Sequence, residues 1–148
     1  MPSGEGGCRM FRRILVGYDG SEMAKKALLA ALELARVFGG EVLALAVVRP
    51  PEFAELGVEL QGVLEEVQGP LAEAFDFANR EAERVGVPLR TRSQVGHPAE
   101  TLARVAEDEG FDLIVLGRRG LTPVQRWMLG SVSERVLRYA PCAVLVVH

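Results

Sequence analysis

The sequence is short of several things, and each shortage excludes something. Only two of its 148 residues are cysteine, Cys8 and Cys142, and they form no C-x-x-C pair. That argues against a disulfide framework and for a reducing compartment, so a cytoplasmic location is expected. The longest apolar runs are strand-sized, such as Val42–Val48, well below the roughly 18 residues that a membrane span needs. Residues 1–9 are glycine-rich and polar, without the apolar centre of a secretory signal. They are expected to form a disordered tail ahead of one domain over 10–148, with Met10 as an alternative start. The two histidines, His97 and His148, have no cysteine or acidic partners at ligand spacing, so neither a metal site nor a histidine base is indicated. A net charge of −3 supplies no basic field for nucleic acid or an anionic membrane. The phosphate-binding pattern G-x-x-x-x-G-K-[S/T] is also missing, and with it the lysine that neutralises β- and γ-phosphates.

What is present is an ordinary globular composition, 49% hydrophobic and 25% charged. A domain of this length buries roughly 68–70% of the surface its unfolded chain exposes, enough for a core without staples. Strand and helix patterns alternate along it. Arg13–Gly17 is a short apolar run ending in the turn Tyr18-Asp19-Gly20-Ser21. In the following helix Ala24, Ala27, Leu28, Ala31, Leu32 and Ala35 share a face, with Asp19 or Ser21 able to cap its start. Val42–Val48 is a second strand. The stretch from Glu52 to Gly69 mixes glycines with helix formers and reads as a loop with at most a loose helix. A clear helix is expected from Pro70, a favoured first-turn residue, to Gly86. The third strand, Pro88–Val95, alternates like a sheet edge. A helix from Pro98 to Gly110, a strand Asp112–Leu116, a helix holding Ser133–Tyr139 and a strand Ala143–Val147 complete the chain. Five strands joined by helices predict one α/β domain with a doubly wound, five-stranded parallel sheet and helices on both faces. Such sheets bind ligands beyond the carboxyl ends of their strands, where strand order reverses.

The loop after the fourth strand carries the chemistry. It reads Gly117-Arg118-Arg119-Gly120, nine residues, then Gly130-Ser131 at the start of a helix. Glycines let backbone N–H groups approach a phosphate closely. A helix N-terminus favours an anion, and Ser131 and Ser133 can donate to phosphate oxygens or cap the helix. Arg118 and Arg119 offer charge-assisted contacts. On residue chemistry alone, glycines that merely turn the chain and a Ser131 N-cap are the commoner reading of such a loop. Asp19 is as good a helix cap as it is a ligand to a ribose.

With its flanks, this pattern resembles the universal stress protein family. The resemblance rests on Ile14-Leu-Val-Gly-Tyr-Asp-Gly-Ser21, Leu113-Ile-Val-Leu-Gly-Arg-Arg-Gly120, Gly130-Ser-Val-Ser-Glu-Arg-Val136 and Pro141-Cys-Ala-Val-Leu-Val-Val147. Gly117, Gly120, Gly130 and Ser131 match the G-x-x-G, nine residues, G-[S/T] motif of the family's ATP-binding branch. The resemblance implies a Rossmann-like universal stress protein fold. It implies ATP as ligand, with Mg²⁺ the expected ion if a metal bridges the phosphates. It implies Asp19 at the ribose, the Val47 backbone at the adenine, Leu116 on the pocket wall, and Ser131, Val132 and Ser133 at the phosphates. It further implies a homodimer through the last strand and a regulatory role in stress adaptation with a protein partner still unidentified. Catalytic residues are not expected, and ATP hydrolysis would be slow at most; signatures of related pyrophosphatases and transferases are missing. A nucleotide-free interaction module is the remaining reading, against which the intact glycine set speaks. Cyclic AMP or another adenylate fits the loop as ATP does. Trp127 and Met128, inside the loop, are read first as interface residues, and Cys142 as a small core residue. The last strand is apolar on both faces, which suits a central strand and would be a liability at an edge.

Overall fold

The computed structural model describes residues 10–50, 57–118 and 131–148, and of 57–67 the backbone alone. In chain order the elements are β1 (Arg13–Gly17), α1 (Glu22–Phe38), β2 (Glu41–Val48), α2 (Gly57–Val85), β3 (Leu89–Val95), α3 (Pro98–Glu109), β4 (Leu113–Gly117), α4 (Ser131–Tyr139) and β5 (Ala143–Val147). The strands form one sheet in the order β3-β2-β1-β4-β5, every neighbouring pair parallel.

This order follows from the crossovers. The chain steps outward from β1 to β2 and β3, then returns past β1 to β4 and β5. Right-handed connections send the helices of the outward steps to one face and those of the return to the other. Side chains of a strand alternate between faces, so each strand feeds two cores. Ile14, Val16, Leu113 and Val115 pack with Ala27, Leu28, Ala31 and Leu32 of α1 and Ala78 of α2. Leu15, Ile114 and Leu116 pack with Leu102, Val105 and Ala106 of α3 and Val136 of α4. The doubly wound α/β expectation holds, and β3 is an edge strand as its alternation predicts.

Two expectations differ in detail. The second helix does not begin at Pro70; α2 starts at Gly57 and carries Pro70 inside it. The apolar spacing Val63, Val67, Leu71, Ala74 is helical across the proline, and a long helix can lose the one backbone bond that Pro70 cannot donate. The strand β5 lies at the other edge, with Leu145 37% exposed, which decides between the two places that its apolar faces left open. Ser131 is the first residue of α4 and lies within the helix. The expected tail over 1–9 lies outside the described residues.

Candidate functional site

The strands β1 and β4 pair from Ile14↔Leu113 to Val16↔Val115 and no further. Beyond that point β1 runs into α1 on one face, while β4 leads towards α4 on the other. A crevice opens between them at the reversal of strand order, where doubly wound sheets bind ligands. The resulting cavity has a volume of about 330 Å³, within the size range of small-molecule sites. Its wall takes residues from the carboxyl ends of β1, β2 and β4 and from the first turns of α1, α3 and α4.

Of the residues singled out in the sequence, Asp19, Val47, Leu116, Gly117, Ser131, Val132 and Ser133 all line this one cavity. Gly120, Gly130, Arg119, Trp127 and Met128 lie outside the described residues. Arg118 is described but does not line the cavity; its N–H donates to the Val147 carbonyl at 2.8 Å and its guanidinium lies 3.0 Å from His148 Nδ1. His97 precedes α3 as its N-cap without a side-chain cap bond, and it too is absent from the lining. Cys142 packs against the α3/α4 core, where burial, and secondarily the charge of Asp112, pushes its thiol pKa up.

The turn after β1 shows what caps α1. Ser21 is the N-cap of α1, its Oγ accepting from the Ala24 N–H at 3.2 Å. Asp19 Oδ1 accepts from the Ser21 N–H at 2.9 Å and so steadies the capping residue while standing on the cavity wall. Two glycines shape the wall for different reasons. A Cβ at Gly17 would lie 2.8 Å from Leu116 Cδ2 and 3.2 Å from Leu102 Cδ1, so the bare backbone is part of the space. A Cβ at Gly117 would lie 2.5 Å from the Met23 carbonyl oxygen. That glycine lets the first turn of α1 close on β4, whatever the cavity holds.

Electrostatically the wall is simple. Among the described lining residues Asp19 is the sole acid and Arg49 the sole base. The orphan N–H groups of the first turn of α4 face an anion favourably, and Ser131 is exposed there to donate. Val47 and Arg49, at the end of β2, stand two strand positions from β4, roughly 10 Å across the sheet. A ligand touching both ends would meet the N–H groups of α4 at one end and, beside β2, the apolar Val47 and the guanidinium of Arg49. No cluster of three or more His, Cys, Asp or Glu side chains suited to a metal occurs among the described residues.

Sequence reasoning missed Arg49, Met23, Pro98, Leu45 and Leu102. Arg49 was within reach, because it directly follows the apolar run of β2 at the carboxyl end where ligands sit. Met23, Pro98 and Leu102 are brought in by packing of α1 and α3, which no local pattern announces.

Comparison with known proteins agrees with this geometry. Residues 10–148 match the Universal stress protein family. A universal stress protein of Methanocaldococcus jannaschii is 36% identical over 145 residues, covering 95% of this chain and 84% of its own. The solved structure of a universal stress protein from Lactobacillus plantarum superposes with a TM-score of 0.77 at 27% identity, covering 95% of this chain and all of that one. A universal stress protein solved in complex with cAMP gives a TM-score of 0.73 at 27% identity, over 93% of this chain and 97% of its own. Sheet order, crevice and sequence relationship converge, and the chain belongs to the universal stress protein family.

Proposed function

We propose that the cavity binds an adenine nucleotide, ATP in the first instance, and that the chain is a regulatory nucleotide-binding protein of stress adaptation rather than an enzyme. The observation that carries this reading is the convergence of Asp19, Val47, Leu116, Gly117 and Ser131–Ser133 on one crevice beside the N-terminus of α4. Residues scattered over more than a hundred positions of sequence meet where a nucleotide would need them. The fit is chemical as well as spatial: an anion at the helix start, a carboxylate for a ribose, and apolar wall at Leu45, Leu102 and Leu116 for a base. The cAMP complex of a related protein supports an adenine ligand. In this reading Gly120 and Gly130 complete the phosphate loop. Mg²⁺, if it accompanies ATP, takes phosphate and water as most of its ligands.

Hydrolysis is a poor use of such a site. The only carboxylate of the described wall, Asp19, already accepts the Ser21 N–H, and in this pose it faces the ribose. We place regulation in the nucleotide state and its readout in a homodimer formed along β5 or in a protein partner.

The test is to denature the purified protein and identify any released small molecule by mass spectrometry, with Gly130→Asp beside it. Residue 130 immediately precedes α4 in sequence, so an aspartate there should favour the helix start and compete with an anion for it. ATP is expected from the parent and none from the variant. Added ATP at a hundred times its Kd should stabilise the parent by about 2.7 kcal/mol. No released nucleotide and no ATP-dependent rise in Tm would leave a nucleotide-free interaction module as the better account.

A further inference from the structure

Tyr18 is among the residues that line the cavity, yet it is only 2% exposed and belongs to the core beneath α2. There its hydroxyl donates to the carbonyl of Ala74 at 2.7 Å, and its ring lies beside Phe75 with centroids 6.3 Å apart. Its backbone N–H donates to the Leu45 carbonyl at 2.9 Å, extending the β1–β2 ladder by one bond. The next residues are Asp19, which holds the Ser21 N–H, and Gly20, at φ +84°. A Cβ on Gly20 would stand 2.7 Å from the Cβ of Ala74. The turn therefore meets α2 at the same residue twice, through the hydroxyl of Tyr18 and through the bare backbone of Gly20.

Ala74 lies inside α2, and a backbone carbonyl has two lone pairs. It can serve the helix ladder and the phenol together, so the bond from Tyr18 need not weaken the helix. A phenylalanine would fill the same volume and keep the contact with Phe75. The hydroxyl is thus the part of the side chain that packing alone does not require.

We propose that Tyr18 is a positioning residue: by donating to Ala74 it holds the Tyr18–Ser21 turn on α2 and so fixes where Asp19 stands on the cavity wall. A displacement of α2 is then passed to Asp19, and a ligand held by Asp19 is felt by α2. The proposal rests on the nucleotide reading only for what Asp19 contacts.

Two measurements on full-length protein test it, using Tyr18→Phe and, as a second variant, Gly20→Ala, whose methyl presses the turn off Ala74. First, amide hydrogen exchange of Ser21 is followed by NMR without nucleotide. Loss of the hydroxyl bond should speed it by about five- to tenfold. Second, ATP affinity is measured in a double-mutant cycle with Asp19→Ala. Tyr18→Phe should weaken binding by about five- to tenfold in the parent and scarcely further in the Asp19→Ala background, because one acts through the other. A merely structural tyrosine would give losses that multiply. Unchanged Ser21 exchange in Tyr18→Phe, or independent losses in the cycle, overturns the proposal. If the parent binds no ATP, the nucleotide reading falls on its own and the exchange result alone decides the lock. If Tyr18→Phe does not fold, Gly20→Ala carries both measurements.

Discussion

At the scale of single residues, the phenol of Tyr18 is held in its neutral form. Burial, reinforced by the neighbouring charge of Asp19, pushes its pKa from 10.0 up to about 12. Between those values the folded chain keeps a proton that the unfolded chain has lost, so stability falls as pH rises through this window. Below pH 10 the contribution is fully present. We expect the parent to lose stability between pH 10 and 12, as read by urea titration at each pH, and Tyr18→Phe to lose less over the same range. Equal slopes for the two proteins would show that the phenol is not the group responsible. Gly117 teaches a different lesson at the same scale. Its place in the glycine motif suggests a phosphate, yet the contact that forbids a side chain there is the Met23 carbonyl of α1. A motif position can be fixed by packing and still border a ligand.

At the scale of elements, α2 is the least regular part of the fold. It carries Gly69 and Pro70 side by side, both exposed, so neither is held there by core packing. Gly69 suits its place, because the Cδ of a proline crowds any Cβ on the residue before it in helical backbone. Pro70 itself lacks the N–H that a helix interior uses, so Pro70→Ala should stabilise the chain by about 1–3 kcal/mol. Chemical denaturation at fixed protein concentration checks this; a neutral or negative result would mean that the helix is not intact at that point. The same element carries Ala74, so its start and stiffness bear on the Tyr18 lock. By contrast α1 is held at both ends, by Ser21 at its start and by Gly39 in the left-handed region at its end.

At the scale of the whole molecule, the two sheet edges are treated differently. The edge at β3 carries Arg90 and Arg92, and Arg92 is paired to Glu109 at 2.5 Å. The edge at β5 presents Leu145, 37% exposed. An unpaired apolar edge invites another strand, and a charge there is the usual protection. If the proposed homodimer forms along β5, Leu145→Lys should convert it to monomer by sedimentation velocity without altering the far-ultraviolet spectrum. A dimer that survives the substitution would place the interface elsewhere.

The sequence by itself determined the fold class and the order of its elements. Apolar periods of two and near four, punctuated by Gly39, Gly86 and Gly110, are local signals and can be read locally. It also pointed to the crevice at the carboxyl ends of the strands, because strand order in a doubly wound sheet follows from crossover handedness and Gly117 ends β4 there. The start of α2 was not legible, since Pro70 looks like a beginning and only the continuing backbone shows that the helix runs through it. The sequence left β5 between centre and edge, because an apolar run does not say which neighbours cover it. Met23, Pro98 and Leu102 joined the cavity wall only through tertiary packing, and the guanidinium of Arg118 lies beside His148 at the end of β5. The Tyr18–Ala74 bond, 56 residues apart in sequence, is of the same kind. Periodicity reports which face a residue presents; what that face meets depends on how distant elements are brought together, and that is decided by the folded chain.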